Sequence, residues 1–280
     1  MLVALCLAVL TVISVSSCAQ QEPRGRYEIA YSTYLGGAEG EQAREVIPYA
    51  DGSVLIGAQT SSQDIPTTEG VVQPEYAGDD PNLGHGGIYG GDCYLARLSA
   101  DGSRILAATY FGGSKQERNV YGMELDADGS IVITSMTRSP DLPTTEGCFQ
   151  PQYGGGQGGC FAAKLSADLT RLLWCTYVGG SGDESPRGGL ALDGEGNVCI
   201  FGTTASRDFP TTPAAHRTER NGPRDATITM LASAGRIGHR VLPHADAGRA
   251  RQHRHRRSDG VARSPCDARR AAADPRRRQQ

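Results

Sequence analysis

Apolar residues along this chain come in short runs broken by glycine, proline, aspartate and serine. No stretch longer than a few residues holds them at i, i+3, i+4 and i+7, so strands are predicted and helical faces are not. Four strand-like runs follow one another at Asn119–Leu125, Ser130–Thr137, Cys160–Leu165 and Arg171–Tyr177. Asp126-Ala127-Asp128-Gly129 joins the first pair, with a glycine suited to positive φ and an aspartate able to bond its own backbone. Ser166-Ala167-Asp168 opens the turn between the last pair, as Ser99-Ala100-Asp101-Gly102 does earlier. Glycine contributes 37 of the 280 residues without collagen periodicity, which agrees with many turns between short strands. The fold class read from this pattern is all-β.

The runs belong to an internal repeat. Thr33-Tyr34-Leu35-Gly36-Gly37 returns as Thr109-Tyr110-Phe111-Gly112-Gly113 and as Thr176-Tyr177-Val178-Gly179-Gly180. Between the copies, Thr60–Thr68 matches Thr137–Thr145 and Thr204–Thr212, each ending in Asp-Φ-Pro-Thr-Thr. A third element precedes each new Thr-Tyr position, at Asp92–Leu98, Gly159–Leu165 and Asp225–Leu231. Four short antiparallel strands per unit, repeated, predict β-propeller blades. The expectation is about three four-stranded units forming an incomplete propeller. Such units bury their apolar faces only by stacking. Tyr31–Leu35 is expected to supply an outer strand to a neighbouring unit, with the Gly-Gly pair letting the chain turn sharply into the next blade.

The order Tyr31–Gly37, then Asp208–Thr212, then Asp225–Met230 resembles the SBBP family of bacterial seven-bladed β-propeller repeats. The resemblance covers about residues 31–231 and rests on three linked motifs. It implies propeller blades on large exported or surface proteins, often beside adhesion-like domains, and supplies no catalytic residues to carry over. Two departures stand out: only about three units are present, and the similarity stops after Leu231.

The two ends differ from the repeats. Leu2–Val15 is almost wholly apolar, long enough for a signal h-region and short of the ~20 residues that span a bilayer as a helix. No basic n-region precedes it, so the natural start is expected upstream. Val15-Ser16-Ser17-Cys18 resembles a bacterial lipobox, making Cys18 the candidate lipidation site; ordinary cleavage nearby, for example after Ala19, satisfies the same small residues. The expected organisation is a signal peptide at 1–18, a linker at 19–26, β-propeller repeats at 27–235 and a basic tail at 236–280. That tail holds 13 arginines against four aspartates, whereas the first 235 residues carry 15 basic and 27 acidic groups. The tail is +9 (13 − 4) and the body −12 (15 − 27), so the overall charge averages two unlike segments. A basic arm for nucleic acid or anionic surfaces is one reading. The favoured one is a frameshifted, disordered tail, because it begins where another strand and Thr-Tyr-Φ-Gly-Gly are due.

Candidate chemistry is sparse. Cys93 and Cys160 take the position of Ala226, Cys175 that of Ser32 and Ala108, and Cys199 that of Leu55 and Val132. Residues that alternate with Ala, Ser, Val and Leu are expected to be small buried side chains. No Cys-x-x-Cys occurs, and His85 and His216 have no partner at zinc spacing, so no metal site is assigned. Asp126/Asp128, Asp183/Glu184 and Asp193/Glu195 could be acid–base or calcium carboxylates; the turn reading is preferred because Asp51-Gly52 and Asp101-Gly102 repeat it. No nucleophile elbow or phosphate loop is present. The insertion around Asp79–Gly90 is the one unit-specific feature. The expected function is a non-catalytic, exported scaffold or binding module, with no catalytic residue, no cofactor, a protein or surface glycan as partner, and no nucleic acid. Membrane contact is expected only through Cys18, at an outer-membrane or cell-surface lipoprotein or a secreted protein. The competing class is a propeller-type hydrolase or calcium-dependent enzyme.

Overall fold

A computed structural model describes residues 27–78 and 90–232. The chain there is all-β, with eleven strands in three antiparallel sheets and no helix. The first sheet runs in order through β1 (Glu41–Pro48), β2 (Val54–Thr60), β3 (Asp92–Leu98) and β4 (Ile105–Phe111). The second does the same with β5 (Glu117–Leu125), β6 (Ile131–Thr137), β7 (Gly159–Leu165) and β8 (Leu172–Val178). The third holds β9 (Glu184–Leu192), β10 (Val198–Thr204) and β11 (Asp225–Leu231), with β11 its edge among the described residues. Each sheet is a blade-like meander whose neighbours in sequence are neighbours in space.

The turns follow the sequence chemistry. Gly52, Gly102, Gly129 and Gly196 all take positive φ, and in each turn an aspartate one or three residues before the glycine caps the backbone that follows. Asp128 accepts the Ser130 amide at 2.9 Å, and Asp51 accepts that of Ser53 at 2.9 Å. In the β7–β8 turn the equivalent of Gly102 is Leu169, at φ 61°, the one non-glycine residue with positive φ among those described.

The sheets stack face to face. β5 packs on β1 to one side and on β9 to the other. Leu55, Cys93, Leu95 and Phe111 of the first sheet share a core with Val120, Ile131, Ile133 and Phe161 of the second, and the Phe111 and Phe161 rings lie 5.7 Å apart. The opposite face of the second sheet, with Val132, Cys160, Trp174 and Val178, meets Val198, Ile200 and Leu231 of the third. Leu169 is buried in the first of these cores, and its carbonyl accepts the amide of Val72 from the first sheet's loop at 2.9 Å.

One sequence expectation changes. Tyr31–Leu35 is not a strand of any sheet, although its sequence matches β4 and β8, and Tyr34 is fully exposed. The Gly-Gly pairs lead from one sheet into the next, as from β4 to β5 and from β8 to β9, and do so without positive φ. Their constraint is space: a Cβ on Gly113 would lie 2.6 Å from the Ser139 Cβ, and one on Gly179 2.5 Å from a Glu184 carboxylate oxygen.

Candidate functional site

The carboxylates singled out by sequence divide into two kinds. Asp126 and Asp128 close the β5–β6 turn and flank the Lys164 ammonium. Asp193 accepts the amides of Glu195 and Asn197, each at 2.9 Å, in the β9–β10 turn. These are turn residues, held below the ordinary carboxylate range first by side-chain donors: Lys164 for Asp126, Ser130 for Asp128 and Asn197 for Asp193.

Glu184 is different, because it opens β9 and is buried. Its Oε1 accepts the hydroxyls of Thr204, at 2.7 Å, and of Ser206. Thr204 Oγ1 in turn accepts the Ser206 amide at 2.9 Å, Ser206 Oγ accepts the Gly182 amide at 2.8 Å, and Asp208 Oδ1 accepts the Ser181 amide at 2.9 Å. The same cluster stands before each of the other sheets. Glu117 accepts the Thr137 hydroxyl at 2.6 Å and the Gly113 amide at 3.0 Å, while Asp141 accepts the Ser114 amide at 3.0 Å. Glu41 accepts the Thr60 hydroxyl at 3.0 Å, and Asp64 accepts the Ala38 amide at 2.8 Å. Each cluster fastens the segment after a Thr-Tyr-Φ-Gly-Gly motif to the sheet that follows. Burial without a cation pushes the Glu117 and Glu184 carboxyls above their ordinary range. Sequence reasoning missed this use of glutamate, although Gly-Gly-x-x-x-Glu recurs at Gly36–Glu41, Gly112–Glu117 and Gly179–Glu184.

A clamp holds the fourth strand of each complete sheet. Gln150 accepts the Gly179 amide through Oε1 at 3.0 Å, and its backbone bonds Thr176 and Tyr177. Gln73 repeats this on Gly112, Thr109 and Tyr110. The tyrosine hydroxyls reach back to the corners: Tyr110 donates to the Ser62 carbonyl at 2.9 Å and Tyr177 to that of Ser139 at 2.8 Å. Asp92, fully buried beside the first clamp, accepts Gln73 Nε2 at 2.7 Å and the Ala77 amide at 2.9 Å. Desolvation outweighs those donors and raises its pKa to about 7.

Beside β11 the corresponding space is a cavity of about 490 Å³, bounded by β11, Phe209 and the 211–220 segment. Arg207, Arg217, Arg220 and Arg224 line it, with Glu219 and Asp225 as its acidic members. Arg217 stands where Gln73 and Gln150 stand in the other units.

No family model matches the chain, and no curated protein matches it. One solved structure, described as the crystal structure of an unknown function protein from Dyadobacter fermentans DSM 18053, matches with a TM-score of 0.35 and 14% identity. The match covers 70% of this chain and 52% of that one, so this chain spans about half its length.

Among the described residues no group of three or more His, Cys, Asp or Glu is arranged to hold a metal ion. Cys93, Cys160 and Cys175 are buried free thiols and Cys199 is half-buried; desolvation raises Cys160 to about 12. Where the first strands meet, Arg44 of β1 and Arg187 of β9 approach the Tyr121 ring of β5, at 5.0 and 5.5 Å from its centroid. Cys18, His85, nearly all of the Asp79–Gly90 insertion and the 236–280 tail lie outside the described residues.

Proposed function

We propose that this chain is a non-catalytic, exported scaffold of propeller-type repeats of the SBBP kind, presented at the cell surface or secreted. The observation that carries this reading is the recurrence of one hydrogen-bonded cluster, Glu-Thr-Ser-Asp, before all three sheets. A reactive constellation needs groups gathered at one place with room for substrate. Here one glutamate per sheet instead recurs at the same corner, accepting hydroxyls that belong to the chain itself. They act as joints. The turn aspartates are likewise occupied by the backbone two to four residues on.

The signal-like Leu2–Val15 and the lipobox-like Val15–Cys18 supply the reasons for export and for a lipid anchor at Cys18. A surface protein or glycan is the proposed partner class, because a rigid sheet array presents its loops without chemistry of its own. Fractionation of the producing cells tests the reading: mature protein should be cut by protease added to intact cells, and Cys18→Ala should release it from membranes. Retention of uncleaved protein inside the cell would overturn it. The calcium-dependent enzyme class makes a separate demand, a rise in unfolding temperature when excess calcium replaces a chelator, and the scaffold reading expects none.

A further inference from the structure

The segment Tyr31–Gly37 is built as the last strand of a sheet that the described residues do not provide. Three observations place it so. Its Gly36-Gly37 pair and Glu41 form the same corner that follows β4 and β8. Leu35, the counterpart of Phe111 and Val178, packs against the outer apolar face of the first sheet, with Ala58, Ile65 and Tyr110. Phe111 and Val178 likewise pack against the sheet that follows them. Yet Tyr34, whose counterparts Tyr110 and Tyr177 are buried and bonded to serine carbonyls, is fully exposed and hydrogen-bonded to no sheet.

The third sheet has the complementary feature. Its edge β11 is paired only with β10 among the described residues, where β3 and β7 each pair with a fourth strand as well. The cavity of about 490 Å³ beside it lies between that edge and the 211–220 segment, the space β4 and β8 occupy in their own sheets. Phe209 bounds the cavity as Ile65 and Leu142 bound the tyrosine sites. Four arginines surround it, whereas Tyr31–Leu35 is flanked by Glu28, Glu39 and Glu41, a complementary charge.

We propose that β11 of one molecule receives Tyr31–Leu35 of a second copy as the fourth strand of its third sheet, with Tyr34 entering the cavity and donating to the Ser206 carbonyl. The register follows from the complete sheets, where Phe161 pairs with Tyr177 and Ala163 with Cys175. Transferred to the third sheet, Thr227 pairs with Tyr34 and Thr229 with Ser32. The second copy is the donor because Tyr31–Leu35 is anchored at the first sheet, on the face turned away from the second, while the acceptor edge lies on the third. Reciprocal exchange by two copies satisfies both edges at once and gives a closed ring of six sheets, within the usual range of propellers. This inference rests on the sheet geometry and is independent of where the protein resides.

Light scattering on the full chain provides the first measurement. Wild-type protein should have twice the mass of one chain, and Tyr34→Ala should weaken association on the order of tenfold or more. Since Tyr34 is exposed within the single chain, the variant should keep its β circular dichroism. A synthetic peptide spanning residues 27–41, in excess, should convert the pair to single chains. The second measurement is a disulfide trap. Ser32→Cys with Thr229→Cys should give a reducible two-chain species that neither single variant gives. A wild-type chain that stays single at all concentrations, or a trapped bond that closes within one chain, would overturn the proposal.

Discussion

Leu169 shows how one residue can be held in a conformation its type disfavours. At the matching turn position the first unit uses Gly102, which reaches positive φ without a Cβ penalty of about 1–2 kcal/mol. Leu169 is retained there because its side chain fills the core between the first two sheets, and its carbonyl holds Val72. Leu169→Gly should therefore destabilise by about 2–4 kcal/mol despite relieving the backbone, since a buried leucine outweighs the strain. Gly129→Ala, whose new methyl would have only Ala167 nearby at 3.9 Å, should cost about 1–2 kcal/mol of strain alone. Denaturant unfolding of both variants checks the ordering. Asp92 gives the pH dependence at this scale. Its folded pKa of about 7 lies above the unfolded value of ~3.9, so folding retains a proton that the unfolded chain gives up. The resulting stability is present below the ordinary carboxylate range and is lost as pH rises through about 7. Asp92→Asn should remove a loss on the order of 3 kcal/mol between about pH 4 and pH 8, seen as a flatter curve of unfolding free energy. Parallel curves for the wild type and Asp92→Asn over that window would show that Asp92 is not held protonated.

At the scale of strands and their joints, Thr137 is the most exposed to a single change. Its hydroxyl donates to Glu117 and accepts the Ser139 amide. Thr137→Val keeps the shape but strips both bonds in a dry site, and should destabilise by about 2–4 kcal/mol. Thr137→Ser should recover most of it. Hydrogen exchange at the Ser139 amide provides a local reading. These joints also mark where sequence reasoning stopped. The strands and turns were legible because alternation, Gly at positive φ and Asp capping act over two to seven neighbouring residues. The hydroxyls that bind Glu117 lie about twenty residues away, so Gly-Gly-x-x-x-Glu carries no local signal of its partner. Glu184 was accordingly grouped with turn carboxylates. Tyr31–Leu35 shows the limit most plainly: it has the same local sequence as β4 and β8, but pairing depends on a neighbour's edge.

For the molecule as a whole, coverage differs from sheet to sheet. The second has apolar cores on both faces; the third has one, and leaves Phe201, Ile228 and Met230 exposed. Amides of β6 and β7 should therefore exchange only by the largest opening, whereas those of β11 should exchange through a smaller one, by at least tenfold in rate. Equal protection of β7 and β11 in single chains would argue against a sheet-wise hierarchy. Strand exchange between copies should slow β11 alone.

The corner cluster has a consequence for how such chains change over generations. All its members fall within one contiguous stretch, from the first glycine to the aspartate, as in Gly112–Asp141. A duplication or deletion in the gene that spans a whole unit therefore carries a complete joint with it and leaves the others untouched. Unequal crossing-over between units can lengthen or shorten the array without any new side chain having to evolve. Descendants of one ancestor should then differ in the number of units long before they differ in Glu117, Thr137, Ser139 or Asp141.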